Sequence, residues 1–374
     1  MIKKKILHIL EIDISSDFIQ KKLSSLDNLK YNELLKEFFQ YKYSWSNTIK
    51  NSFKTYDVEI VVGNSYQLQS LWFKEFFSKK KNKFDKNLIL KEQINFFKPE
   101  VVLFQNIKTF VEMHEFIKQK NIKSIVYDGV GHNLEFVAKN ANIIFSCLNS
   151  SINYYQQFTN KCLYLPHGFD ETINFETKSR DNLIFIGQVS NKDHFNRAIF
   201  LDSINNKFKI KLWLGKKPGF LRLLKNIIYN IFLKKNLFLC IKYLFSLNRL
   251  YKNNLGNLYG IDMYKELNKS LITINYHIDK VGDEAANMRI FESTGSGICL
   301  LTENKKNLKN FFDIDKEVVV FNNTDEAISK IDFFLKNKNS ALKIGMKAKE
   351  KTLIAHKISD RWKELENFLI NHNI

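Results

Sequence analysis

The chain has 374 residues, 44% of them hydrophobic, with three prolines and 13 glycines, a length that suits two ordinary domains and a composition that excludes a linker-rich or low-complexity polymer. Its 58 Lys and Arg against 39 Asp and Glu give a formal net charge of +19, and heavy use of Lys, Asn, Ile and Phe suggests codon bias, so a single lysine says little. Cys147, Cys162, Cys240 and Cys299 lie far apart among apolar neighbours with no C-x-x-C pair, which argues against a zinc site or disulfide framework and fits a reducing compartment.

Met1–Leu10 places a basic Lys3–Lys5 before only five apolar residues, too short for a secretory segment, and reads as a first strand from Lys5. No run of 18 apolar residues exists, so no transmembrane helix is expected. Tyr31–Phe53 has helical spacing, with Leu34, Leu35, Phe38, Phe39, Tyr43 and Trp45 as an aromatic stripe that reads as core or as a wall of an acceptor pocket. Val58–Val62 is a second strand, and the charged run Lys79–Lys86 reads as a solvated face or loop. Leu88–Phe97 is helical and stops at Pro99. The strand Val101–Phe104, the helix Glu112–Gln119 and the strand Ser124–Tyr127 follow. That last strand ends in the glycine-containing loop Asp128–Asn133, where backbone and ligand can approach closely. The strand Ala141–Cys147, the helix Ser150–Phe158 and a short strand Lys161–Leu165 lead to Pro166–Asp170. Strands alternating with helices imply a parallel, doubly wound α/β sheet.

Glu171–Asp181 is polar and aperiodic, and a domain boundary is expected there. Leu183–Ile186 then reads as a strand, followed by Gly187, Gln188 and the helix Phe195–Ile204. Strand, glycine and helix start make a weak phosphate-site signal, with Lys192 and Arg197 nearby as cations. Lys209–Gly215 is the next strand. Between Asp202 and Asp262 there is no acidic residue but there are twelve Lys or Arg. Arg222, Lys225, Asn226, Tyr229 and Asn230 form one polar stripe at helical spacing. Lys235, Lys242, Ser246 and Arg249 form another. Both read as basic amphipathic helices, suited to an anionic membrane surface or to packing on the second domain. Nucleic-acid binding is not expected, for want of a recognised motif.

The chemistry concentrates in Val281–Gly297, V-G-D-E-A-A-N-M-R-I-F-E-S-T-G-S-G. Glu284 and Glu292 fall on one face if the helix is continuous; otherwise Glu284 precedes the helix and Glu292 lies along its axis. Vicinal hydroxyls of ribose and hexose suit carboxylate acceptors, and a diphosphate suits Arg289 and a helix N-terminus. Upstream, Ser270–His277 reads as a buried strand ending in polar groups. Downstream, Ile298–Thr302 reads as the next strand. Ligands of open α/β sheets bind at such strand ends.

Tyr259–Gly297 resembles the C-terminal half of CgeB-like glycosyltransferases, within the wider group 1 retaining transferases of GT-B fold. The likeness continues through Leu300–Glu303, Asn307-Leu308 and Lys316–Val319. The resemblance implies two Rossmann-like doubly wound domains facing a cleft: an acceptor-side domain over 1–175, a nucleotide-sugar domain over 176–355 with a basic insertion at 216–255, and a terminal helix over 356–374 crossing back. Within Asp325–Lys336, Ala341–Leu353 and Trp362–Ile370, all helical by spacing, the last is that crossing helix. By the same resemblance Glu292 takes the ribose hydroxyls, with Thr294 and Gly295 positioning its helix. Glu284 and His132 contact the transferring sugar, and Leu165–Asp170 is a hinge or cleft-lining segment. Gln188 stands where the wider group often has Arg, which leaves the diphosphate to Lys192, Arg197, Arg289 and the N–H groups after Gly187. Asn287 and His277 complete the donor set. The implied activity is retaining transfer from a nucleotide sugar to a glycan, lipid-linked or protein acceptor in bacterial surface glycoconjugate synthesis. It needs no metal and is expected in the cytoplasm or on the inner membrane face. A GT-B epimerase, a glycogen-type polymerase and a non-catalytic assembly protein that binds sugar nucleotide or membrane are the competing expectations.

Overall fold

The computed structural model describes residues 3–12, 28–43, 45, 47–77, 85–176, 180–190, 192–234, 237–279 and 282–374. Residues 79–84 of the charged run, 177–179 of the expected boundary, 235 of the second basic stripe and 281 at the head of the central stretch lie outside them. The chain divides into one unit of Met1–Asp170 with Ile358–Ile374, and another of Glu171–Lys357.

In the first unit, β1 (Lys4–Leu10), β2 (Tyr56–Val62), β3 (Val101–Phe104), β4 (Lys123–Tyr127), β5 (Ile143–Ser146) and β6 (Cys162–Tyr164) form a sheet in the order β2-β1-β3-β4-β5-β6. Every pairing is parallel, with Ile6 opposite both Val58 and Val101. Helices cover both faces of such a sheet, which is why β3 reads V-V-L-F and is buried at every position. Leu7, Phe104, Phe110 and Ile144 belong to one of its cores.

The helical reading of Tyr31–Phe53 resolves into two helices, Tyr31–Gln40 and Thr48–Ser52. Lys42 between them takes a left-handed backbone (φ 54°), which no helix interior accepts. The aromatic stripe is core at Leu34, Phe38, Tyr43 and Trp45, while Leu35 and Phe39 are half-buried. A helix at Tyr66–Phe76, started by the Ser65 hydroxyl accepting from Leu68 N–H, has no counterpart in the sequence reading. The terminal helix Ile358–Asn371 packs on Thr48–Ser52. Trp362 is fully buried, donates from Nε1 to Thr48 Oγ1 at 2.9 Å and meets the Trp45 ring edge-on at 4.9 Å. Glu366 Oε1 accepts from the N–H groups of Lys54 and Thr55 at 2.7 and 2.6 Å.

In the second unit, β7 (Asn182–Ile186), β8 (Ile210–Trp213), β9 (Ser270–Asn275), β10 (Cys299–Glu303) and β11 (Val319–Phe321) are parallel in the order β11-β10-β9-β7-β8. The chain leaves β7 toward β8 and returns to β9 on its other side. The loops at the carboxyl ends of β7 and β9 therefore diverge and open a crevice, where open α/β sheets bind ligands.

The basic segment forms the helices Phe220–Lys234 and Leu237–Lys252. The second is built into the core: Tyr243 stacks on Phe195 at 3.7 Å, and Ser246 and Arg249 hold the carboxylate of Asp202. Ser246 is fully buried, so the expected basic stripe does not face solvent along its length. On the first helix Asn226 and Asn230 point inward, donating to the main-chain oxygens of Ser190 and Lys192 at 2.8 and 3.1 Å. No helix among the described residues is long and apolar enough to cross a membrane. All four cysteines are buried and none forms a disulfide.

Trp362→Ala should remove one of the largest fully buried side chains of the first unit and destabilise it by about 3–5 kcal/mol in urea unfolding followed by circular dichroism. A loss below about 1 kcal/mol would show that the terminal helix is dispensable to that unit.

Candidate functional site

The strand-end crevice of the second unit is built from its polar residues outward. β9 is buried throughout and ends at Asn275, whose Nδ2 donates to Thr302 Oγ1 on β10 at 2.9 Å. Asn275 Oδ1 accepts from Asn287 Nδ2 at 2.6 Å. Asn287 is the N-cap of the helix Met288–Gly295 but makes no capping bond of its own. Its side chain instead fixes the helix start against the sheet. Asn287 Oδ1 is buried with no hydrogen-bond partner.

On that helix Arg289 and Glu292 are three residues apart and form an ion pair at 2.8 Å, with side chains 16% and 10% exposed. Desolvating two charges is expensive, and one pair contact leaves hydrogen-bonding capacity unused. Arg289 Nε is buried without a partner. Glu284 lies before the helix, in a loop clamped by Asn307, which accepts from Ala285 N–H at 2.6 Å and donates to Ala285 O at 3.1 Å. Of the two geometries open in the sequence, the structure takes the one with Glu284 ahead of the helix.

His277 follows β9 and is 2% exposed. Its main-chain N–H donates to Glu303 Oε2, and Nδ1 lies 3.2 Å from the same oxygen. A carboxylate only accepts, so Nδ1 carries the proton and Nε2 is an unprotonated acceptor. Burial lowers the His277 pKa and keeps the ring neutral, against the opposing pull of Glu303. Nε2 is buried with no partner. Burial works to raise the Glu303 pKa, but the bonds from His277 outweigh it and hold the carboxylate below its usual range. A polar cavity of about 250 Å³ shares Glu303 and is lined also by Phe200, Tyr276, Lys305 and Asn322.

Arg197 sits in the first turn of the helix Phe195–Asn205, 7% exposed, donating from Nη1 to Gln188 O at 2.8 Å. Burial brings its pKa down to about 10, with Glu303 and Asp279 opposing, so it stays charged at neutral pH. Arg197, His277, Glu303 and Arg289 are thus within electrostatic reach of one another. Four expected contributors stand differently. The Gly187 N–H is taken up by Trp213 O at 3.0 Å and is not free for a phosphate. Lys192 places its ammonium 4.2 Å over the Tyr229 ring. Thr294 and Gly295 are buried in packing: Thr294 Oγ1 donates to Ile290 O and accepts from Thr352 Oγ1 at 2.8 Å, so neither is a ligand contact.

Sequence reasoning passed over Arg180, which is buried and donates to the main-chain oxygens of Ser296 and Gly297 and to Asn268 Oδ1. It holds the carboxyl end of the Met288–Gly295 helix, where a cation complements the helix dipole. Nothing local marks it, since its partners lie about ninety and 116 positions away. Glu303 and Asn307 lay inside the stretches that carry the resemblance, but a role for either required the fold.

In the first unit, Asp128 follows β4 fully buried and gathers the loop around itself. It accepts from the N–H groups of Val130, His132 and Asn133, from Tyr155 OH at 2.8 Å and from His132 Nδ1 at 3.1 Å. Burial works to raise its pKa, yet these donors bring it down to about 2. His132 is half-exposed with Nδ1 anchored on Asp128. The signal for Asp128 was its place directly after a strand and four residues before His132. Among the described residues no three His, Cys, Asp or Glu cluster as a metal site requires.

Residues 242–367, about a third of the chain, match the protein family described as glycosyl transferase-like. No curated protein matches in sequence. Among solved structures, Anabaena HepE in complex with UDP and glucose superposes with a TM-score of 0.64 at 8% identity, over 99% of each chain. Sucrose-phosphate synthase from Thermosynechococcus elongatus gives 0.60 at 9% identity, over 99% of each. A glycosyltransferase from Rickettsia africae gives 0.57 at 13% identity, over 99% of this chain and 98% of that one. At these identities the likeness establishes architecture: two Rossmann-like parallel-sheet units in the GT-B fold.

Asp128 supplies the pH prediction. A carboxylate with a folded pKa near 2 and an ordinary value of 3.8 contributes stability above pH 4 that is lost as pH falls toward 2. Asp128→Asn should cost about 2 kcal/mol at pH 7 in denaturant unfolding, and the gap to wild type should narrow between pH 4 and pH 2. A gap independent of pH would show that the carboxylate charge is not what holds the loop.

Proposed function

We propose that the protein is a glycosyltransferase that binds a nucleotide-sugar donor at the strand-end crevice of its second unit and passes the sugar to an acceptor hydroxyl with retention of configuration. The observation that carries this reading is the buried Arg289–Glu292 pair at the head of a helix pinned to β9 by Asn287. One partner accepts from ribose hydroxyls, and the other donates to the diphosphate. The family match includes this helix, and HepE of the same fold holds UDP and glucose.

In the proposed reaction the bond from the sugar's anomeric carbon to the diphosphate oxygen breaks, and its electron pair stays on that oxygen. Arg289 and Arg197 stabilise the growing negative charge. The acceptor oxygen bonds to the same carbon from the same face, and its proton leaves on the diphosphate. His277 Nε2 and Asn287 Oδ1 accept from donor hydroxyls, which gives both buried atoms a partner. Glu284 keeps its proposed place beside the transferring sugar. No metal enters this scheme. A lipid-linked, glycan or protein acceptor in bacterial surface glycoconjugate synthesis fits the same chemistry.

Thermal-shift titration against nucleoside diphosphates, UDP first, should raise the melting midpoint, since a hundredfold excess of ligand over Kd adds about 2.7 kcal/mol. Glu292→Ala and Glu292→Gln should each weaken donor binding about ten- to a hundredfold by removing charged hydrogen bonds. Unchanged affinity in a folded variant would sink the assignment. Donor binding without product from any acceptor would favour a binding module, and a changed free sugar nucleotide would favour an epimerase. With EDTA present, turnover should be unaltered; its loss, restored by a divalent cation, would overturn the metal-free scheme.

A further inference from the structure

The helices Phe220–Lys234 and Leu237–Lys252 each carry an exposed apolar face in addition to the apolar residues they pack on the core, such as Leu223, Ile227, Tyr243 and Leu247. A surface helix buries its apolar stripe and exposes its polar one. On the first helix the amides of Asn226 and Asn230 are buried, while Leu221 (73% exposed), Leu224, Ile228 and Phe232 (78% exposed) face out. Those four positions recur at spacings of three and four, which keeps them on one face. On the second, Phe238, Ile241 and Phe245 do the same while Tyr243 and Leu247 fill the core. Ten of the twenty-four exposed large hydrophobic side chains among the described residues fall between positions 220 and 245. Concentration of this kind marks an interaction surface.

The charge says what covers it. Arg222, Lys225 and Lys242 are exposed beside these faces, and no acidic residue occurs between Asp202 and Asp262. An apolar ridge bordered by cations, on a segment that itself carries no acidic residue, is complementary to the headgroup and acyl boundary of an anionic bilayer. Neither helix is long and apolar enough to span one.

We propose that this helical pair docks the protein on an anionic membrane surface, with Phe232 and Phe238 entering the acyl boundary and Arg222, Lys225 and Lys242 at the lipid phosphates. This refines the expectation of basic amphipathic helices at an anionic membrane surface by naming the apolar face that inserts. The inference does not rest on the donor site.

Deleting the segment would strip Tyr243 and Leu247 from the core, so point variants are the instrument. The full chain is co-sedimented with phosphatidylcholine vesicles, either pure or with roughly a third phosphatidylglycerol. Wild type should bind the anionic vesicles and release as salt rises. Phe232→Ser with Phe238→Ser should lower partitioning about tenfold or more. Lys225→Gln with Lys242→Gln should lower it on anionic vesicles and flatten the salt dependence. Circular dichroism melting, which needs no donor, checks that both variants fold. The proposal is overturned if wild type ignores anionic vesicles or if the double serine variant binds undiminished. It is also overturned if the serine substitutions instead dissolve a dimer seen by sedimentation without vesicle binding.

Discussion

The second unit depends on holding one eight-residue helix at both ends. At the carboxyl end the Arg180 guanidinium binds two main-chain oxygens and an amide, all in a buried setting. At the amino end Asn287 reaches Asn275 on the central strand, and Asn275 reaches Thr302 on the next. A helix this short has little stability of its own. Its position is set by these side chains and by the close approach of Gly345 to the Gly297 carbonyl, where a Cβ at 345 would come within 2.4 Å of the oxygen. Arg289 and Glu292 inherit a fixed geometry from it, which is what pre-organised recognition requires.

The same region is electrostatically unsettled as it stands. Arg197, Arg289, His277 and Glu303 are all largely buried, and several of their polar atoms have no partner. Buried polar atoms without hydrogen bonds each cost about 1–3 kcal/mol, and a native site tolerates them where a ligand completes the set. Positive charge at Arg197 and Arg289 prefers an anion, while the acceptors Nε2 of His277 and Oδ1 of Asn287 prefer hydroxyls. A phosphorylated sugar carries both.

The parallel sheets were legible because buried strands are near-continuous apolar runs, as at Val101–Phe104 and Leu183–Ile186, and because Pro99 and Gly187 punctuate them. The Tyr31–Phe53 stretch misled because aromatic spacing persists across the turn at Lys42. In the site, Glu292, Arg289, Asn287 and His277 were readable from their placement between two strands. Thr294 and Gly295, expected to position the helix, are packed within it and on Thr352. Arg180 was invisible because its value is entirely long-range. On the basic helices the exposure of Arg222, Lys225 and Lys242 was legible, but the inward turn of Asn226 and Asn230 was not, because the main-chain carbonyls they satisfy lie in a distant loop.

Those two amides have a mechanical consequence. They grip Ser190 and Lys192 in the very loop that leaves β7 beside the crevice, so the outer helix and that loop move as one body at these points. A load applied to the exposed ridge is delivered to the loop through two hydrogen bonds, without passing through the sheet. Stiffness at the surface thus becomes stiffness at the crevice rim.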